Sequence, residues 1–479
     1  MTEHRLLPYR DELMPARIAD SSLTPAGDPG EAARLRQWLA ELGERSFTRA
    51  RRIPLEEMTG WHTDPATGDL RHDSGKFFTV EGLDVHMPDG PVTRWSQPII
   101  NQPEVGILGI LAKEIDGVLR FLIQAKAEPG NCNGLQLAPT VQATRSNYTR
   151  VHGGKAVPYL EYFQRSGGHR VIADVRQSEQ GSWFQHKRNR NMVVEVTGDV
   201  PVLDGFRWMT LGEIHRSFRV DNMVTMDART VLSCLPFAAP GLADRQTGPR
   251  DDFRSALLRS CRPEKGSLHT TGEILSWITE SRTGRDVWTR RIPLRQVRSW
   301  QRVDGRISHV NGLYFDVIGL DVVAAGREVA HWRQPAIEPH GVGVVAFLAR
   351  VFDGVLHVLV NARAEPGFVD AVELAPTVQC IPQNFDPLPP DQRPRFLDDV
   401  LAARPDRIRF DTELSEEGGR FHRARNRYLV VETDVDAAGD LPDFRWMTLH
   451  QLVDLLRHSH YLNVQARSLV ACLHSLTSA

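Results

Sequence analysis

Along the chain the apolar residues change period several times, and each change predicts an element. Leu35, Trp38, Leu39 and Leu42 recur at the spacing of one helix face, and Ile274, Trp277 and Ile278 echo it in the second half. Residues 105–111 and 118–123 are apolar, β-branched runs joined through Asp116-Gly117, a hairpin signature. Residues 342–348 and 355–360 are joined through Asp353-Gly354 in the same way. Residues 192–196 and 428–431 read as a further core strand, and Leu469, Cys472, Leu473 and Leu476 put an apolar stripe on a last helix. The expected fold class is α+β, a mixed sheet flanked by helices.

The elements recur because the sequence does. Residues 125–130 read AKAEPG and 362–367 ARAEPG, while 137–142 and 374–379 both read LAPTVQ, each pair offset by 237. The same offset relates Arg188, Asn189 and Arg190 to Arg425, Asn426 and Arg427, and Trp95 and Gln97 to Trp332 and Gln334. Toward the ends the register drifts by one or two residues, as small loop insertions would cause: Trp61 matches Trp300, and the FRWMTL of 206–211 returns at 444–449. Two unrelated domains would not hold one register through so many identical blocks, so an internal duplication is expected. The expected organisation is an N-terminal extension (1–30), a first copy (31–236), a linker with Pro and Gly (237–251) and a second copy (252–479).

With 479 residues, 41% hydrophobic and 25% charged, the chain has the balance of a globular protein with more than one core. Its apolar runs fall far short of the ~20 residues a membrane helix requires, and its first ten residues carry charges where a signal peptide is apolar. A cytoplasmic protein without membrane contact is expected. The 58 basic and 60 acidic residues nearly cancel, which argues against nucleic acid as a partner but leaves room for a local phosphate pocket. Only six of the basic residues are lysine, and arginine's planar fork suits phosphate. Five widely spaced cysteines without a CxxC pair point to inert thiols. No GxGxxG after a strand, Walker loop or HExxH occurs, so neither a metal nor a cofactor is expected.

Three blocks carry candidate chemistry. In residues 135–148, LQLAPTVQATRSNY, alternation gathers Gln136, Thr140 and Gln142 if the segment is extended, as Ala138 before Pro139 favours. Such a row suits a cleft lining or a solvent-facing strand edge. With Thr144 and Asn147 these are candidate contacts to a sugar nucleotide, and Glu373, Thr377, Gln379 and Asn384 are the corresponding candidates of the second copy. The second block is SWFQHKRNRN (182–191), with GGRFHRARNRY (418–428) in the matching place. Arg188, Asn189, Arg190 and Arg425 there offer the paired donors that a pyrophosphate accepts. Third, Trp61 and Trp300 each follow an RRIPL block and are candidates for stacking on a base or for core packing, with Arg52 and Arg291 near a phosphate. The copies then diverge: Tyr148, His152 and Lys155 align with Phe385, Pro389 and Gln392, and Arg145 with Pro382. The functional pocket is expected in the first copy, and the pocket around 377–392 is expected to be a weakened relic.

On these blocks the chain resembles the NDP-hexose 2,3-dehydratase family over almost its whole length. The resemblance rests on the duplicated LAPTVQ, on TRSNYTRVHGGK (144–155), and on SWFQHKRNRN with its GGRFHRARNRY partner. It implies two tandem Nudix-like domains, here without the Glu-rich Nudix helix that binds magnesium, and a homodimer. It also implies a dTDP-linked 4-keto-6-deoxyhexose as substrate, dTDP-4-keto-6-deoxy-D-glucose. The implied product is dTDP-3,4-diketo-2,6-dideoxy-D-glucose, consumed by a downstream 3-ketoreductase in deoxysugar biosynthesis. Such an elimination needs a base, an acid and donors at the C4 oxygen. Tyr148 and His152 have suitable chemistry, and Lys155 or Arg145 suits developing negative charge, with base and acid left unassigned between them. Two other readings stay open. A Nudix-related sugar-nucleotide pyrophosphatase would need an acidic metal cluster, and none has the right spacing. Against a non-catalytic sugar-nucleotide-binding protein stands the retention of Tyr148, His152 and Lys155.

Overall fold

The computed structural model describes residues 13–24, 30–90, 92–144, 156–164, 169–237, 253–262, 266–326, 329–389, 392–435 and 441–478. Two seven-stranded mixed sheets carry the fold. In the first, the strand order is Arg170–Ser178, Arg188–Glu195, Gly106–Ile115, Val118–Ala127, Phe206–Thr210, with Leu135–Ala138 on the fourth strand and Val141–Ala143 on the third. The second repeats it with Ile408–Ser415, Arg425–Glu432, Gly343–Phe352, Val355–Ala364 and Phe444–Met447, Val372–Ala375 and Val378–Cys380 taking the matching places. Each sheet's parallel pair keeps one register, Arg190 beside Ile107 and Arg427 beside Val344. The LAPTVQ blocks therefore fall on equivalent elements: Gln142 lies opposite Leu108, and Gln379 opposite Val345. Both Asp-Gly pairs turn their hairpins as expected, with positive φ at Asp116, Gly117, Asp353 and Gly354.

Two five-stranded sheets are where the copies exchange chain. Phe47–Ile53 of the first copy pairs with Phe315–Ala325 of the second, and Trp288–Ile292 of the second pairs with Thr79–His86 of the first. Each RRIPL block thus completes the other copy's sheet.

One hydrophobic core spans both copies. Phe121, Ile123 and Val193 of the first sheet join Phe347, Val358 and Val430 of the second, around the helices Met226–Ser233 and Val464–Thr477. The latter is buried along its whole length, so its polar residues must find partners inside the protein. Arg467 is 0% exposed, and so is Arg229 at the matching place. Arg467 donates to Leu462 O at 2.7 Å, Thr230 Oγ1 at 2.5 Å and, across the copies, Ser178 O at 2.5 Å. Arg229 reciprocates with Val224 O at 2.6 Å, Ser468 Oγ at 3.2 Å and Ser415 O at 2.8 Å.

The repeated AEPG motif has its reason at the same seam. Gly130 N donates to Gly418 O and Gly367 N to Gly181 O, both at 2.7 Å. A Cβ on Gly130 would stand 1.7 Å from Phe421 O, and one on Gly367 would stand 1.9 Å from Phe184 O, so only glycine admits the other copy's loop. Phe237, which opens the expected linker, is buried and stacks on His474 with ring centroids 4.4 Å apart. Among the described residues no helix is long and apolar enough to cross a membrane.

Candidate functional site

The structure uses most of the polar positions of the LAPTVQ blocks internally. Thr140 Oγ1 donates to Leu122 O and accepts from Leu111 N at 3.0 Å; Thr377 does the same between Leu359 O and Leu348 N. These hydroxyls seal the place where each short strand inserts beside a hairpin, which explains their recurrence. Gln136 and Glu373 lie at the seam between copies. Gln136 donates to Ser415 Oγ at 2.8 Å, and Ser178 donates to Glu373 at 2.5 Å. Burial raises the Glu373 carboxyl to about 8.

A test of fold energetics follows from that carboxyl. From about pH 4.5 to about 8 the folded protein keeps a proton that the unfolded chain has released, so this group's favourable contribution is complete below about 4.5 and lost on the way to 8. Glu373→Gln, which installs the first copy's residue, is expected to raise stability by on the order of 2 kcal/mol at pH 8 and by little at pH 4.5. Urea midpoints at the two pH values check this; an equal effect at both would show that the carboxyl is not held neutral.

The aromatic and RRIPL candidates are also built into the fold. Trp61 is 8% exposed, donates to Arg333 O at 2.8 Å and packs on Phe78. Trp300 donates to Ser96 O at 3.1 Å and packs on Phe315. Arg52 pairs with Glu338, and Arg291 with Glu81 at 3.4 Å. Asn384 accepts from Tyr314 N at 3.0 Å. None of these six is brought to the remaining polar candidates.

Gln142 is the position that leads to a site. Its side-chain oxygen accepts from Lys126 Nζ at 2.8 Å and its amide donates to the Asp227 carboxylate, while Lys126 pairs with Glu128 at 2.9 Å. Asp227 stands in the first turn of Met226–Ser233, a helix fixed at its start by Thr225, whose side chain accepts from Ala228 N. Asn189 donates to Glu179 at 2.6 Å, and the second Glu179 oxygen is buried without a partner. Lys187 donates to Glu104 O. The second copy reaches in with Glu417, whose oxygens accept from Gly419 N at 3.0 Å and Arg420 N at 2.7 Å. Burial beside Glu179, Glu417 and Glu128 holds Asp227 well above the usual carboxylate range. Burial likewise raises Glu417 to about 7 and pulls Lys187 down to about 8. Groups that exchange protons near neutral pH are thereby gathered in one pocket.

The matching pocket of the second copy lacks that chemistry. Arg363, Gln465, Ala424 and Gln180 stand where the first pocket has Lys126, Asp227, Lys187 and Glu417. Arg363 and Gln379 both donate to Glu365 at 2.9 Å, and Gln379 accepts from Asn463 at 2.7 Å. Lys126, Glu128, Glu179, Lys187, Asp227 and Glu417 are absent from the sequence-based candidates. The signal for four of them was present, as unlike residues at aligned positions; for the glutamates shared by both copies, Glu128 and Glu179, there was none.

Alternation along the strand divides the RNR motif. Asn189 shares the sheet face of Gln142, whereas Arg188 and Arg190 lie on the opposite face, Arg190 in register with Ile107 and Ala143. Arg190 is held by Asp174 at 2.7 and 2.5 Å, and Arg425 pairs with Glu413 at 3.2 Å. Thr144, half-buried, follows the strand of Gln142. Arg145, Asn147, Tyr148, His152 and Lys155 lie outside the described residues, in the segment that leaves this strand three residues after Gln142.

The description NDP-hexose 2,3-dehydratase belongs to the family model that matches twice, over residues 32–235 and 271–473. Three curated relatives are each described as a dTDP-4-dehydro-6-deoxy-alpha-D-glucopyranose 2,3-dehydratase. That of Saccharopolyspora spinosa is 51% identical over 462 residues, 96% of this chain and 95% of the relative. That of Amycolatopsis orientalis is 48% identical over 464 residues, 96% and 93% of the two chains, and that of Streptomyces violaceoruber 49% over 452 residues, 93% and 98%.

Proposed function

Because the chain belongs to the NDP-hexose 2,3-dehydratase family, we propose that it converts dTDP-4-keto-6-deoxy-D-glucose to dTDP-3,4-diketo-2,6-dideoxy-D-glucose in the pocket of its first copy. The observation that carries the placement is the inequality of the two pockets: Lys126, Asp227, Lys187 and Glu417 in one, Arg363, Gln465, Ala424 and Gln180 in the other.

The C4 ketone acidifies the C3 hydrogen. A base removes it, the enolate expels the C2 hydroxyl as water with a proton from an acid, and the resulting enol tautomerises to the C3 ketone. Asp227, kept protonated by its burial, is the acid. Its Oδ2 accepts from Gln142, which leaves Oδ1 to carry the proton. The Lys126 ammonium, oriented by Glu128 and Gln142, is placed to stabilise the C4 oxyanion. The base comes from Tyr148 or His152, with Lys155 and Arg145 as further cations. A Nudix-like scaffold for each copy, a homodimer, a cytoplasmic location and a downstream 3-ketoreductase belong to the same reading.

Incubation of the purified protein with the 4-keto substrate and a 3-ketoreductase is expected to yield a 2,6-dideoxy sugar, and exhaustive chelation is expected to leave the rate unchanged. Loss of turnover on chelation, restored by a metal, would overturn the metal-free mechanism. Release of dTMP would replace the dehydratase by a pyrophosphatase, and binding without turnover would replace it by a sensor.

A further inference from the structure

On the sheet face opposite Gln142 lies an open cleft of about 490 Å³, lined by Asp174, Arg176, Arg188, Arg190, Ser459 and His460. Arg190 is neutralised by Asp174, but among the described residues no carboxylate pairs with Arg176 or Arg188. His460, from the second copy, is 7% exposed, and its Nδ1 is buried with no hydrogen-bond partner. Its backbone is held at a φ of +65°, a conformation that non-glycine residues adopt rarely.

The matching place in the second copy shows what this arrangement lacks. There Glu413 occupies the position of Arg176 and pairs with Arg425 at 3.2 Å. Asn222 occupies the position of His460, accepts from Ser415 Oγ at 2.8 Å and donates to Glu413 at 3.4 Å. Asp221, in the position of Ser459, accepts from Glu413 N at 3.0 Å. Every one of these groups is satisfied within the protein. In the first copy a glutamate and an aspartate have given way to Arg176 and Ser459, which converts a self-neutralised patch into a cationic cleft with an orphaned imidazole nitrogen.

We propose that this cleft is a diphosphate site, in which Arg176 and Arg188 hold the pyrophosphate group of a nucleoside diphosphate above His460. Two forks free of carboxylates, in a recess beside a buried donor, are what a diphosphate needs for charge-assisted bonds. The group has two possible sources. One is the substrate itself, reaching round the edge strand Arg170–Ser178; the other is a free nucleotide bound apart from the reaction pocket.

The site rests on the cleft and not on the dehydratase reading, since binding is measured without turnover. Titration calorimetry of the full chain with inorganic pyrophosphate and with dTDP, at low ionic strength, is expected to show binding. Arg176→Glu, which recreates the pairing of the second copy, and Arg188→Ala are each expected to weaken it on the order of 10- to 100-fold. Arg425→Ala is expected to leave it unchanged. A matching rise in KM for the 4-keto substrate identifies the substrate as the source, and an unchanged KM identifies a separate nucleotide. Absence of pyrophosphate binding to the wild-type protein, or wild-type affinity in both folded variants, overturns the proposal.

Discussion

Asp227→Asn is expected to lower kcat by about 10²–10⁴, the usual cost of removing a general acid or base, while KM changes little. Asparagine keeps the shape of the side chain and an acceptor for Gln142, and the buried carboxyl is already uncharged near neutral pH. The variant should therefore fold with near wild-type stability, and its loss of rate is not a loss of structure. Tyr148→Phe and His152→Ala are expected to fall in the same range for whichever residue is the base. Changes at the corresponding places of the second copy, Gln465→Ala and Arg363→Ala, should leave kcat nearly intact. Steady-state kinetics on the folded variants decide the matter: if Gln465→Ala abolishes turnover while Asp227→Asn retains it, the reaction belongs to the other pocket.

The second large effect concerns stability. Arg467→Met is expected to lower the free energy of unfolding by about 3–5 kcal/mol, because it strands several buried acceptors and removes the cation that faces Glu179 and Glu373. Arg467→Lys should recover only part of this, since one ammonium does not reproduce a planar fork with three partners. As a control, Arg404→Ala removes an exposed pair with Asp406 and should cost less than about 1 kcal/mol. Urea unfolding measures all three. If Arg467→Met came within about 1 kcal/mol of the wild type, the guanidinium would not be what closes the seam between the copies.

Local patterns gave the local features. The helix stripes, the Asp-Gly hairpins and the duplication follow from periodicity, turn chemistry and one repeated register, and all three appear at the expected places. The family was legible in the same blocks. Gln142 and Asn189 were legible as polar side chains in a chemically loaded stretch, and the fold brings them to one sheet face.

What the sequence could not decide was which partner each residue meets. Two copies with the same local sequence offer the same partners twice, so the exchange of Phe47–Ile53 and Trp288–Ile292 between copies carries no local signature. The same holds for Thr140 and Trp61, whose polar atoms read as free in one dimension and are taken up by backbone carbonyls in three. Alternation, invisible until the strand was placed, set Arg188 and Asn189 on opposite faces. Asp227, Lys126 and Glu417 lie far apart in the chain and meet only because the two copies share one core. Their proton affinities arise from mutual burial, a property of the packed interior and not of any segment of the chain.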